Sequence, residues 1–271
     1  MMDPTLPLWA AVLVAGVFGA VIGSFLNVVI WRVPRGESIV HPGSACPQCG
    51  QPIAWYDNLP IISYLVLRGR CRHCSAHISA RYPLVELGTA LAFAGVAWGA
   101  FADIYPAAVV PLLLFWVAIG IALALIDLDH HRLPNVITLP AYPVTVVLLV
   151  LASVLTGDYG RLLMALIGLA ILGGFYLVLA LGYRGGMGWG DVKLAGSLGL
   201  LLGWLGWAQI IVGGFSAFLI GGILGIALMA FGKAGRKSRL PFGPFMLIGA
   251  AVGIFAGPAI ADFYLAAAGL A

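Results

Sequence analysis

Runs of about 20 apolar residues, each long enough to cross a hydrocarbon core as a helix, recur along this chain from end to end. In lipid the backbone must satisfy its own hydrogen bonds, so runs of this length dictate helices. Composition agrees with that constraint. Of 271 residues, 62% are hydrophobic and 9% charged, where soluble domains carry roughly 25% charged residues. The mean hydropathy is +1.06. The expected fold is an all-α polytopic membrane protein with about eight transmembrane helices, at residues 8–31, 83–101, 107–126, 136–156, 162–182, 192–204, 208–231 and 244–265.

The basic residues set the orientation of these spans. Arg32, Arg35, Arg68, Arg70, Arg72 and Arg81 fall in or beside the first loop. Arg132, Arg184 and Lys193 lie at the next turns on that side, and Lys233, Arg236, Lys237 and Arg239 fill the last. Of 14 Lys and Arg residues, all but Arg161 share one side, which the positive-inside rule makes cytoplasmic. Both termini then face outward, with Asp3, Asp103, Asp158 and Asp262 on the outer side. The start, MMDPTLPLW, has no basic residue, so a cleavable signal peptide is not expected. The net charge of +4 reflects topology and gives no reason to expect nucleic acid. Small residues four apart (Gly19 and Gly23, Gly199 and Gly203, Gly221 and Gly225) predict close helix packing. Trp9, Trp31 and Trp207 read as interface anchors.

The stretch from Arg32 to Arg81 is the polar part of the chain, and it holds all four cysteines, as CPQC at 46–49 and CRHC at 71–74. Each CxxC turns two sulfurs toward one point, and two such knuckles complete a tetrahedron, the pattern of a structural zinc site at Cys46, Cys49, Cys71 and Cys74. A loop of ~50 residues has little core of its own, so metal binding would supply its folding energy. A cytoplasmic loop keeps its thiols reduced. The competing reading is a pair of redox CxxC motifs. His41, His73 and His77 are not needed, because four cysteines satisfy zinc.

Carboxylates inside or beside spans are costly and mark function. Asp127 and Asp129 close the third span in ALIDLDHHRLPN, and Asp191 opens the sixth in RGGMGWGDVKLAG. The topology puts Asp127 and Asp191, 64 residues apart, at one depth on one side. Two carboxylates held close share a proton, which suits them to activate water and polarise a carbonyl. The surrounding glycines are expected to leave room for a substrate backbone. Spacing alone leaves the alternative of interfacial carboxylates, helix caps or salt-bridge partners. Asp129 is the nearest competitor, and Glu86, in RYPLVELG, is a weaker candidate for proton or substrate contact.

GMGWGD fits the GxGD signature of intramembrane aspartyl proteases. With IDLDHHRLPN, GSFLNVVIWRVPRGES, the two CxxC knuckles and PFGPF at 241–245 in order, the chain resembles the bacterial prepilin peptidases, or type IV leader peptidases. The resemblance runs from about Gly23 to Phe245. It implies cleavage of the basic leader from type IV prepilins and type II secretion pseudopilins at the cytoplasmic face of the inner membrane. It further implies methylation of the new N-terminus with S-adenosylmethionine. By position, Asp127 and Asp191 become the catalytic pair and Cys46, Cys49, Cys71 and Cys74 the zinc ligands of bifunctional members. Asn135 stands where many members have aspartate. The S-adenosylmethionine contacts are not assigned; Asn27 lines that site or makes an interhelical hydrogen bond. PFGPF guides helix entry or shapes a substrate groove.

The expected organisation is a first helix at 1–31, a zinc-binding loop domain at 32–82 and a seven-helix peptidase core at 83–271. Competing functions are a proton relay through Asp127, Asp129 and Asp191, a peptidase without methyltransferase activity, and a docking role for the cysteine loop. Lys193 has no assigned role.

Overall fold

The computed structural model describes residues 7–182, 187–231 and 240–270. Asp3, Arg184, Gly185, Gly186 and the basic cluster of Lys233, Arg236, Lys237 and Arg239 lie outside the described residues. The order is α1 (Leu8–Arg32), α2 (Ile62–Val66), α3 (Arg81–Phe101), α4 (Val110–His130), α5 (Asn135–Thr156), α6 (Gly160–Gly168), α7 (Gly174–Gly182), α8 (Trp189–Leu205), α9 (Trp207–Ala230) and α10 (Gly243–Ala267). A π-helical turn, Leu169–Gly173, joins α6 and α7 into one span, Gly160–Gly182. Among the described residues seven helices are long and apolar enough to cross a membrane, as a multi-pass membrane protein requires.

The one expected span not among these seven is the sixth, α8, with 17 residues. At 1.5 Å per residue it reaches about 25 Å, short of a ~30 Å core. Every residue from Leu194 to Trp204 is buried. A helix apolar all round is an interior helix, so α8 is surrounded by protein.

The chain divides into two compact units. One comprises the chain to Asp103 together with Leu113–Ala122; the other comprises Ile104–Leu112 and everything from Leu123 onward. In the first unit α1 packs on α3 through Gly19 and Gly23. A Cβ at either would come within 2.8 Å of α3 atoms, from Phe93 and Thr89 at the first and Glu86 at the second. In the second unit a Cβ on Gly199 or Gly203 would collide with carbonyls of Gly168 and Met164. Backbones meet here because packing replaces the hydrophobic drive in lipid. Gly221 instead faces the rings of Phe242 and Phe245. Trp9, Trp31 and Trp207 are exposed, as interface anchors should be.

Candidate active site

Asp127 lies in the last turn of α4 and is buried, at 4% exposure. Helix α4 stops at His131, whose left-handed backbone (φ 51°) sends its N–H to the Asp127 carbonyl at 2.8 Å. Histidine tolerates that conformation better than most residues. The turn carries the chain to Leu133, which is buried, and α5 starts after Pro134.

One oxygen of Asp127, Oδ2, accepts the N–H of Gly243 at 3.0 Å. Gly243 is the first residue of α10 and lies 116 positions away. Its amide would otherwise be one of the unpaired donors that open any helix. Glycine is required there, since a Cβ would fall 2.8 Å from Asp127 Oδ2. The PFGPF motif thus begins a helix on the carboxylate, a contact that local sequence does not signal.

Asp191 is the third residue of α8 and partly buried. Its Oδ2 accepts the N–H of Gly188 at 3.1 Å, while its own N–H donates to the Gly188 carbonyl at 3.0 Å. This reciprocal pair is the backward half of a capping box. Each carboxylate is therefore held by an amide at the start of a helix, where the dipole favours negative charge.

Leu133 brings the two supports together. A Cβ on Gly190 would lie 2.9 Å from Leu133 Cβ, and one on Gly243 would lie 3.2 Å from Leu133 Cδ2. One leucine thus fits between the glycine preceding Asp191 and the glycine that binds Asp127. Asp191 lies near both Asp127 and Tyr176. Tyr176 also packs on Phe218 and Phe242, at centroid distances of 5.4 and 6.1 Å. The space beside Gly190 holds Leu133; Gly185 and Gly186 of the same cluster lie outside the described residues.

Helix α5 braces α8 just past Asp191. Tyr142 donates its hydroxyl to the Lys193 carbonyl at 2.6 Å, and Lys193 Nζ donates to Asn135 Oδ1 at 2.8 Å. Lys193 and Asn135 are thereby paired with each other. Asp129 is exposed. Asn27 donates its amide to the Tyr82 carbonyl at 3.2 Å, the interhelical bond expected as its alternative.

The cysteine loop builds its cluster from two similar turns. Cys46 N–H donates to the Gln51 carbonyl and Gly50 N–H to the Cys46 carbonyl; Cys71 and Ser75 repeat this with Ala76 and Cys71. Gly50 and Ser75 follow the second cysteine of each turn, and both have positive φ, 69° and 58°. The four sulfurs lie within 4.8 Å of one another, and Cys46 and Cys74 are 3.8 Å apart. Sulfurs bound at ~2.3 Å to one tetrahedral ion sit about 3.8 Å apart, so the cluster fits a metal. Backbone N–H groups of Cys49 and Gln48 hold the Cys46 thiol down to about 6. Amides of Cys74 and His73 lower Cys71 as well, while burial and the neighbouring thiols push Cys74 up to about 11. The first two shifts favour the ligating thiolate at Cys46 and Cys71. Arg72, inside the second turn, donates from Nε and Nη2 to Asp57 at 2.7 and 2.6 Å. Among the described residues the histidines do not join the cluster.

Residues 17–100 match the Bacterial Peptidase A24 N-terminal domain, and residues 112–229 match the Type IV leader peptidase family. The chain is 35% identical over 288 residues to the prepilin leader peptidase/N-methyltransferase of Pseudomonas aeruginosa, covering 96% of this chain and 95% of that protein. The protein of the same name from Aeromonas hydrophila is 36% identical, over 92% of this chain and 91% of that one. Its counterpart from Myxococcus xanthus is 40% identical over 86% of this chain and 67% of that protein. No solved structure matches. Similarity that runs nearly end to end with relatives of one name decides the matter: the chain belongs to the family of bacterial prepilin leader peptidase/N-methyltransferases.

Proposed function

We propose that this protein cleaves the basic leader from type IV prepilins and type II secretion pseudopilins with Asp127 and Asp191, then methylates the new N-terminus. The observation that carries the peptidase reading is the seating of both carboxylates on helix-opening amides around Leu133. One member of the pair is ionised and takes a proton from water as the water oxygen attacks the scissile carbonyl. The other is protonated and donates to the carbonyl oxygen. Collapse of the tetrahedral intermediate breaks the C–N bond, and the leaving amine receives a proton from the pair. The titration belongs to the pair, not to either residue.

S-adenosylmethionine would supply an electrophilic methyl group for the new amine. Cys46, Cys49, Cys71 and Cys74 would hold zinc, which would supply the cross-link that the loop lacks a core to replace. We assign residues 1–31 to a first helix, 32–82 to the zinc-binding loop domain and 83–271 to the peptidase core. The protein sits in the inner membrane, with its carboxylates and loop toward the cytoplasm and both termini outside, because basic residues crowd that side of the spans.

Mass spectrometry of a prepilin incubated with the enzyme and S-adenosylmethionine tests both activities. The expected product has lost its leader and gained one methyl group. An unprocessed prepilin overturns the peptidase reading; a processed but unmethylated one overturns the second activity.

A further inference from the structure

The first unit contains a cavity of about 450 Å3 between α1 and the loop that follows it, within the ~300–1,000 Å3 range of small-molecule sites. Phe25, Val28 and Leu59 give it an apolar wall, while Ser24, Arg32 and Asn58 present polar groups. One charged residue, Arg32, lines the space, and a buried carboxyl group lies behind it. Arg32 spends its hydrogen bonds on carbonyls, those of Ser38, Pro42 and Gly43 at 3.0, 2.8 and 3.3 Å. Neutral acceptors fix its position and leave its positive charge to the cavity.

The carboxyl group is that of Glu86 of α3, buried at 8% exposure and joined to the lining through its neighbours. Its carboxylate accepts the Ser24 hydroxyl and, at 2.7 Å, the N–H of Ile61. Ser24 lines the cavity, and so does Pro60 beside Ile61. Ile61 has φ 62° and ψ −48°, a conformation that a β-branched side chain disfavours. Strained backbone persists where surrounding structure enforces it and clusters at functional sites. Here it turns an amide onto a buried carboxylate at the edge of the cavity. An aromatic and aliphatic wall, a guanidinium and a buried carboxylate together suit a flat heterocycle carrying a zwitterionic arm. An acyl chain would use only the wall.

We infer that this cavity binds the methyl donor, a nucleoside bearing an amino-acid arm with a sulfonium. The heterocycle packs on Phe25 and Val28, the arm's carboxylate faces Arg32, and the sulfonium lies in the field of Glu86. The inference rests on the methyltransferase reading and gives Glu86 a role apart from proteolysis.

The test is calorimetric titration of the full chain in lipid nanodiscs with S-adenosylmethionine and with its neutral thioether product, S-adenosylhomocysteine. Leader cleavage, whose residues lie in the other unit, reports folding. Val28→Trp, which fills the cavity, should weaken both ligands at least about tenfold, and Glu86→Gln should weaken the sulfonium ligand more than the thioether. Both variants should still cleave leader. If Val28→Trp loses cleavage, Asn58→Ala and Glu86→Gln decide the question. A wild type that methylates prepilin, with variants that bind both ligands unchanged, overturns the site and spares the methyltransferase reading. A wild type that neither methylates nor binds overturns both. Displacement of bound ligand by lipid but not by adenosine identifies an acyl cleft and overturns the inference.

Discussion

The cysteine cluster and the carboxylate pair are built in opposite ways. Each cysteine turn closes on itself within six residues, Cys46 to Gln51 and Cys71 to Ala76. The second turn is nearly a copy of the first. The carboxylates depend on remote segments: Asp127 on an amide 116 positions away, and Asp191 on a helix cap seated against Leu133. A metal lets a site be specified by local geometry, because the ion supplies the long-range bond. A pair of like charges has no such tie, and its neighbours must hold it.

The largest effect that could break this contrast is metal removal. Structural zinc contributes about 10–16 kcal/mol to small zinc-dependent folds. Chelation should therefore expose residues 36–80 to protease while far-ultraviolet circular dichroism changes little. Cys71→Ser should lower bound zinc in the same way. A loop that stays protected in a metal-free protein would mean that it holds itself together without the ion.

Next come the carboxylates. Asp127→Asn and Asp191→Asn should each lower leader cleavage ~10²–10⁴-fold, as loss of an acid–base group does, with zinc content unchanged. Asp129→Asn should cleave normally. Substantial cleavage by either member of the pair, measured on a prepilin in membranes, would remove the two-aspartate mechanism.

The supports are the third target. Gly243→Ala puts a methyl against Asp127 Oδ2, and Gly190→Ala puts one against Leu133 Cβ. Overpacking of this kind costs about 1–3 kcal/mol. Both variants should lose roughly one to two orders of magnitude in cleavage while binding zinc normally. In Gly190→Ala, a second change of Leu133→Ala should restore part of the loss. Wild-type rates in both glycine variants would show that remote packing does not govern the pair.

What was legible in the sequence follows the same division. The spans were legible because lipid leaves one solution for long apolar runs. The knuckles were legible because their ligands and turns share one short stretch. Topology alone directed attention to Asp127 and Asp191 as a pair, each at the end of a span. The role of PFGPF could not be read that way, since the Gly243 amide meets Asp127 only after six intervening helical segments have packed. Leu133 gave no signal, being one leucine among many until two glycines close on it. The shortness of α8 also misleads by composition, because a helix buried in protein need not match the bilayer.

The smallest expected effect concerns the side-chain tie between Asp57 and Arg72, which links the Trp55–Asn58 turn to the second knuckle. Hydrogen bonds from the Arg72 guanidinium hold the Asp57 carboxyl below its ordinary value. A carboxyl depressed in the folded state stabilises fully above its unfolded pKa, near 3.9. That contribution is lost as pH falls through the lower folded value. The Asp57 side chain is 9% exposed but the Arg72 guanidinium that holds it is about half exposed, so the pair is still screened by solvent and its worth is modest and salt-sensitive. Asp57→Asn should thus be slightly more protease-sensitive in the loop than wild type at neutral pH. The gap should narrow as pH falls below about 4 and shrink in high salt. Protonation of the cysteines acts on both proteins and cancels in the difference. A gap that is unchanged by acid would mean that Asp57 shapes its turn without its charge, and the loop would then rest on the metal and its backbone turns alone.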